Sequence, residues 1–385
     1  MGFICTTAHP LGCKANVDAQ IQRVQAAGLP PLGRALVVGG STGYGLASLI
    51  ASTFGAKAET LAVCLEREPS EKRQGTAGWY NLAAVLSAAK KQGLKVQALN
   101  ADAFANSTRK AVIQILKQNF GPIDSLVYSL ASPRRTDPTD PNRVWKSALK
   151  PLDHAWSATS INLDTESLNQ ITVEPATEDE IHGTVKVMGG EDWELWVRAL
   201  GDAGLLAPGF RTVSYSYLGP EINQPIYRGG TIGAAKEHLE ATARRLNEQL
   251  SALKGGAWVS INRALVTQAA AAIPVFPLYL SVLLKVEEEL GGNEDTCAQI
   301  IRLMKDHLAP GRTPTTDPEH RIRLDDLEMR PLIQEEVARR FSVLTQENLN
   351  TLADFPRYKA EFLRLFGFGV PGIDYSVPVE TQVGW

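Results

Sequence analysis

A glycine-rich turn between an apolar run and a helical one constrains this chain more than any other feature. Arg34-Ala-Leu-Val-Val-Gly-Gly40 is short, β-branched and apolar, and Gly39-Gly40-Ser41-Thr42-Gly43-Tyr44-Gly45 continues it as G-x-x-x-G-x-G into a helical stretch from Tyr44 to Phe54. Glycines there allow a tight turn, close backbone approach to a pyrophosphate and close packing of helix on strand, and a helix N-terminus favours negative charge. The pattern then repeats. Thr60 to Glu66 reads as a second strand, Gly78 to Gln92 as a helix with Leu82, Val85, Leu86 and Ala89 on one face, and Leu94 to Asn100 as a third strand. Ser107 to Phe120 reads as a helix and Ile123 to Leu130 as a fourth strand. Apolar strands alternating with amphipathic helices predict an α/β fold, a doubly wound parallel sheet covered on both faces.

From Ala131 to Arg211 the rhythm breaks, in a stretch rich in Pro, Asp and Thr with an expected hairpin around Ile171-Thr-Val and Thr184-Val-Lys-Val. Strand-like Thr212 to Leu218, a helix through Ala234 to Leu253 and a strand over Trp258 to Leu265 resume the main pattern. The tail from Thr313 reads as helical, with Pro331 to Phe341 and Asp354 to Phe366 as candidates. We therefore expect residues 1–385 to form one enlarged dinucleotide-binding domain, with 131–211 as a substrate-side insertion and 313–385 as a helical extension.

Composition narrows the partners. Lys+Arg 39 against Asp+Glu 42 gives a formal charge of -3, which argues against a nucleic-acid binder. Cys5, Cys13, Cys64 and Cys297 are too scattered for a disulfide framework, and with no signal-peptide pattern at the start the expected location is cytoplasmic. The apolar stretch Ala269 to Leu284 is broken by Pro274 and Pro277, so no membrane span is expected. The six histidines, His9, His154, His182, His238, His307 and His320, show no metal-ligand spacing.

Residues at the strand ends point to a dinucleotide. Glu66 ends the second strand, where a carboxylate accepts hydrogen bonds from an adenosine ribose and repels a 2′-phosphate, favouring NADH over NADPH; without the glycine loop it would read as a solvated charge. Asp102-Ala103 after the third strand and Leu130-Ala131 after the fourth lie at the same edge.

The chemistry is expected after the fifth strand. No tyrosine has a lysine four residues on; Tyr227-Arg-Gly-Gly-Thr-Ile-Gly-Ala-Ala-Lys236 has a Y-x8-K spacing instead. At about 100° per residue the two side chains would point oppositely on one unbroken helix. Tyr227 must therefore precede the regular helix, with Gly229-Gly230 supplying the break and Thr231 a candidate N-cap. Tyr217 ends the preceding strand and is the preferred substrate-side residue, while Tyr215, two residues earlier, leaves a purely structural aromatic pair as an equal reading.

At these residues the chain resembles the trans-2-enoyl reductase family that unites bacterial enoyl-acyl-carrier-protein reductases with trans-2-enoyl-CoA reductases. The matching segments include Gly2-Phe-Ile-Cys-Thr-Thr-Ala-His-Pro10, Gly40-Ser-Thr-Gly-Tyr-Gly-Leu-Ala47, Gly75-Thr-Ala-Gly-Trp-Tyr-Asn81 and Val127-Tyr-Ser-Leu-Ala131. Pro133-Arg-Arg-Thr136, Met188-Gly-Gly-Glu-Asp-Trp193, Tyr217-Leu-Gly219, the Y-x8-K segment, Leu265-Val-Thr267 and Phe366-Gly-Phe-Gly369 extend the match over nearly the whole chain. The resemblance implies a Rossmann-type sheet and NADH bound by Gly39, Gly40, Ser41, Thr42, Gly43, Tyr44, Leu65, Glu66, Asp102, Ala103, Leu130, Ala131, Lys236, Leu265, Val266 and Thr267. It also implies Tyr227 as proton donor, Tyr217 as a substrate contact, and a monomer acting on an enoyl thioester of acyl carrier protein or coenzyme A. Family members commonly carry a few more residues before the Gly-Phe-Ile segment, a departure expected to leave the chemistry untouched.

The expected reaction adds hydride to the β-carbon and pushes charge onto the thioester oxygen. Tyr227 then supplies a proton, and Lys236 holds the nicotinamide ribose while its charge favours phenolate character in Tyr227. The apolar segment from Ile273 to Leu284 either lines an acyl pocket or packs in the core, and Arg134 and Arg135 either meet carrier phosphates or are solvated. A short-chain ketoreductase is disfavoured by the missing Y-x-x-x-K, and a non-catalytic dinucleotide sensor would need neither Tyr227 nor Lys236.

Overall fold

The computed structural model describes Cys5, residues 7–130 and residues 132–385. Helix α1 (Pro10–Ala26) leads into β1 (Arg34–Val38), and α2 (Gly43–Ile50) leaves the glycine turn. Then come β2 (Glu59–Cys64), α3 (Ala77–Lys91), β3 (Val96–Asn100), α4 (Asn106–Ile115) and β4 (Ile123–Tyr128). The middle segment holds β5 (Arg134–Thr136), β6 (Val144–Lys146), β7 (Trp156–Asn162), β8 (Ser167–Val173), α5 (Glu178–Met188) and α6 (Glu191–Asp202). The sheet resumes with β9 (Leu206–Ser216), α7 (Thr231–Leu250) and β10 (Gly256–Ile261), followed by α8 (Gln268–Ala271), α9 (Phe276–Leu290) and α10 (Thr296–Arg302). The tail contributes β11 (Arg321–Arg323), α11 (Pro331–Ser342), α12 (Leu349–Leu352) and α13 (Phe355–Arg364).

The main sheet has seven strands in the order β11-β10-β9-β4-β1-β2-β3, all parallel, as the alternating sequence predicts. Leu36, Val37, Val38, Leu61, Ala62 and Val63 are all fully buried, so the central strands are covered on both faces. Each such leucine or valine contributes about 1.5–3 kcal/mol by leaving water. One face packs on α1, α2, α3 and α10, the other on α4, α6 and α7. A third apolar cluster joins α9, α11 and α13 to Tyr217, Tyr227, Ala264 and Val266, which follow the carboxyl ends of β9 and β10. Register alignment of Val38 with Val63 and Tyr128, and of Tyr128 with Ser214, brings the carboxyl ends to one edge.

Three expectations need correction. The hairpin pairs β7 with β8, so Ile171 does lie in it, but Thr184-Val-Lys-Val belongs to α5. A capping box fixes that helix: Thr177 accepts from the Glu180 amide while Glu180 accepts from the Thr177 amide. Four β-branched or long side chains in a row yield to that start signal. The tail is not wholly helical, because Arg321–Arg323 adds the outermost strand beside β10. Finally, β9 stops at Ser216, which leaves Tyr217 in the loop beyond it.

Candidate active site

The glycine turn forms a cradle that side chains would fill. Gly39 has φ +87, and a Cβ there would sit 1.8 Å from the Ser129 carbonyl oxygen; one at Gly45 would sit 1.9 Å from the Gly39 oxygen. Gly43 takes φ +53 with open space around its missing Cβ. At the start of α2, Thr42 is extended and makes no side-chain cap, and the first turn has no acidic residue. The leading amides of α2 are therefore oriented for an anion, and the residues present fit a dinucleotide pyrophosphate. Buried Ser216 Oγ and Asn262 Nδ2, at the ends of β9 and β10, also have no hydrogen-bond partner among the described residues.

Glu66 is held rather than solvated. Its Oε1 accepts from Ser41 Oγ at 2.5 Å and its Oε2 from Thr76 Oγ1, while Asn100 brackets its backbone at 2.7 and 2.8 Å. Asn81 donates to the Ser41 carbonyl at 3.0 Å, so the first turns of α3 fix both the glycine loop and the carboxylate. Gly78 makes room for this: a Cβ there would lie 2.0 Å from Glu66 Oε1. Arg67 turns away to the Gln74 carbonyl. Beside it Leu65 is 68% exposed, an apolar surface at the edge where an adenine would lie. Asp102 accepts from the Phe104 amide at 2.9 Å, and the Ala103 carbonyl is held by Trp196 and Arg109. Leu130 approaches Gly39, whereas Ala131 lies outside the described residues, as do Gly2, Phe3, Ile4 and Thr6.

Tyr217 and Tyr227 meet edge to face, with ring centroids 5.1 Å apart at 86°. Tyr227 precedes α7, and its carbonyl accepts from Gly233 at 2.8 Å and from Gly230 at 3.2 Å. The N-cap is Gly230 rather than Thr231: Thr231 is already helical, and its hydroxyl bonds the Ala148 carbonyl at 2.5 Å. The Tyr227 side chain is buried, and its hydroxyl makes no hydrogen bond among the described residues. Burial pushes that phenol up, so it stays protonated. No charge from Lys236 offsets that rise here, because Lys236 Nζ donates to the Tyr215 carbonyl at 3.4 Å. Burial lowers Lys236 to about 8, against the opposing charge of Glu240.

Tyr215 and Tyr217 are not a structural pair. Tyr215 hydrogen-bonds Ser48 at 2.6 Å and packs 5.5 Å from the Tyr44 ring, while Tyr217, past the strand end, turns into the third apolar cluster. Tyr44 has its hydroxyl committed to the Arg263 carbonyl and Gln299, which ties the glycine loop to the segment carrying Leu265, Val266 and Thr267. Thr267 caps α8 by accepting from the Ala270 amide at 3.1 Å.

The sequence reading missed Glu328. This buried tail residue accepts from Tyr217 at 2.8 Å, from Tyr279 at 2.6 Å and from the Ala264 amide at 2.6 Å. A lone glutamate before α11 carries no motif that would mark it. Helix α9 packs in the core, one of its two expected roles: it is largely buried, Phe276 stacks edge-on against Tyr217, and Tyr279 reaches Glu328. Arg135 is neither solvated nor facing a ligand. It is buried against Glu191 at 2.6 Å and the Lys186 carbonyl at 2.7 Å, and only Arg134 is exposed.

No group of histidine, cysteine and acidic residues among the described residues is arranged to hold a metal, and no helix there is long and apolar enough to cross a membrane. Three family models match. Residues 1–71 match the NAD(P)H binding domain of trans-2-enoyl-CoA reductase, 73–309 the trans-2-enoyl-CoA reductase catalytic region and 316–379 an enoyl reductase FAD binding domain. An enoyl-[acyl-carrier-protein] reductase [NADH] from Shewanella baltica is 48% identical over 99% of this chain and 96% of its own. The crystal structure of Treponema denticola trans-2-enoyl-CoA reductase in complex with NAD aligns with TM-score 0.94 and 43% identity over 100% of this chain and 98% of that one. That of the Clostridium acetobutulicum trans-2-enoyl-CoA reductase with NADH aligns with TM-score 0.95 and 39% identity over 99% and 98%. The tail does not fit a flavin: β11 runs into α11 with no glycine turn, and Phe355, Tyr358 and Phe362 are spent on the core.

Proposed function

Because the chain belongs to the trans-2-enoyl-CoA reductase family, we propose that it reduces the trans-2 double bond of an enoyl thioester with NADH in fatty acid synthesis, using Tyr227 as proton donor. The chemistry that NADH supplies when bound is a hydride for the β-carbon. Gly39 to Tyr44 and the leading amides of α2 would hold the pyrophosphate, Glu66 the adenosine ribose, Leu65, Asp102 and Ala103 the adenine edge, and Lys236 the nicotinamide ribose. Leu130, Leu265, Val266 and Thr267 would close the cofactor's other side.

As charge develops on the thioester oxygen, the Tyr227 hydroxyl is the donor that meets it. The observation that carries this reading is the state of that hydroxyl: protonated by burial, beside Tyr217, and with no protein partner among the described residues. A phenol already bonded to protein would have to break that bond before it could donate. Tyr217 and Phe276 contact the acyl group. Monomeric action and a cytoplasmic location belong to the same reading, checked by sedimentation and by fractionation.

The test follows loss of NADH absorbance with crotonyl-CoA and with crotonyl-acyl carrier protein, repeated with NADPH. Oxidation of NADH on at least one carrier, much slower with NADPH, is expected. Inactivity in every combination refutes the reading, and Tyr227→Phe turning over at the unaltered rate refutes the proton donor.

A further inference from the structure

Glu328 lies more than a hundred residues from the tyrosine it holds, and nothing in the reaction as described uses it. Its carboxylate takes three donors on two oxygens: Oε1 accepts from Tyr217 at 2.8 Å and Tyr279 at 2.6 Å, and Oε2 accepts from the Ala264 amide at 2.6 Å. That arrangement complements an ionised carboxylate, which can only accept. Full burial pushes the Glu328 carboxyl up, and the nearby Arg263 guanidinium, itself paired with Glu287 at 2.5 Å, together with the three donors works against that rise. Gln334 anchors the Glu328 carbonyl at 2.7 Å, so backbone and side chain are both fixed.

The direction of these bonds has a chemical consequence. A phenol has one proton and two lone pairs. With its O–H donated in a hydrogen bond to Glu328, Tyr217 can present only lone pairs to the acyl side, and Tyr279 is committed in the same way. Of Tyr217, Tyr227 and Tyr279, Tyr227 alone keeps an O–H free to donate among the described residues.

We propose that Glu328 is a positioning residue for the reduction: by accepting hydrogen bonds from the hydroxyls of Tyr217 and Tyr279 it makes Tyr217 a hydrogen-bond acceptor toward the acyl thioester and leaves proton donation to Tyr227. Through the Ala264 amide the same carboxylate fixes the start of the Leu265 to Thr267 segment, so one side chain sets the acyl wall and the cofactor wall together. This rests on the reading of the site as an enoyl thioester reductase.

Glu328→Gln is the direct probe. Its amide oxygen still accepts from the Ala264 amide, which places the NH2 against the two phenols and turns the Tyr217 proton toward the acyl side. With NADH and crotonyl-CoA, kcat should fall by about tenfold or more while KM for NADH stays within about threefold, a split that general loosening would not produce. The deciding measurement is a double-mutant cycle with Tyr217→Phe. Once Glu328 is Gln, removing the Tyr217 hydroxyl should cost less than about twofold more, so the two losses are far from multiplicative. Tyr227→Phe should cost the same in either background. Should Glu328→Gln show no cooperative melting, Glu328→Asp, which keeps the charge but cannot span both phenols and the amide, enters the same cycle. Multiplicative losses in a wild type that turns over overturn the Glu328 role alone; a wild type that oxidises no NADH on either carrier overturns the functional reading and this proposal with it.

Discussion

The two sides of the site are built at different ranges along the chain. On the cofactor side Glu66 is held by Ser41, 25 residues away, and by Thr76, 10 away. On the acyl side Tyr217 is held by Glu328 at a separation of 111, and Tyr279 by the same carboxylate at 49. Short-range contacts leave a spacing pattern in the sequence, whereas long-range ones exist only once the sheet order has brought the segments together. The pyrophosphate and adenosine end of the cofactor side is therefore a motif, and the acyl side a product of topology.

The largest effect should separate the two sides most clearly. Tyr227→Phe is expected to lower kcat by about 10²–10⁴-fold while the NADH dissociation constant moves less than about twofold, measured by turnover and by fluorescence titration. A comparable loss of NADH affinity would mean that the two sides are not separable. Next, Glu66→Ala removes the carboxylate that repels a 2′-phosphate, and the NADPH to NADH ratio of kcat/KM should rise about tenfold, the size of one charge repulsion. An unchanged ratio would place coenzyme choice elsewhere.

Lys236 sits between the two sides and supplies a pH test. Burial lowers it to about 8, so it is a cation below that pH and neutral above it. The charged form is the one that serves the nicotinamide ribose, so NADH affinity should weaken about fivefold from about pH 7 to about pH 9, and Lys236→Met should flatten that dependence. The same sign governs stability: with the folded value below that of the unfolded chain, this residue's contribution improves as pH rises through about 8 toward the unfolded range of about 10.4. The smallest effect is the sharpest geometrically. The Cβ added in Gly78→Ala would lie 2.0 Å from Glu66 Oε1, and because a carboxylate end can swing aside, KM for NADH should rise about threefold with kcat held. A fall in kcat instead would show that the cofactor cradle reaches into the chemistry.

This division also explains what was legible beforehand. Val38-Gly-Gly and the carboxylate at Glu66 announced the cradle because strand, turn and helix N-terminus lie within one stretch of chain. The spacing from Tyr227 to Lys236 was enough to require a helix break, which the structure supplies one residue before Thr231. Thr184-Val-Lys-Val misled because β propensity was weighed without the Thr177-Glu-Asp-Glu180 start signal, which was there to be read. Strand β11 was hidden by brevity, with Ile322 its sole apolar residue, and Arg135 by a burial that depends on Glu191 closing over it. Glu328 had no local signal at all, since its partners come from β9's exit loop, α9 and the segment after β10.

The order of the sheet also has a temporal meaning. β1 to β4 stand side by side along one flank, so the first 130 or so residues carry the glycine turn, Glu66 and Asp102, while Glu328 leaves the ribosome much later. Chains generally acquire structure from the N-terminus during synthesis. A nascent chain thus presents the pyrophosphate and adenosine end of the cleft first, and the carboxylate that fixes Tyr217 and Tyr279 last.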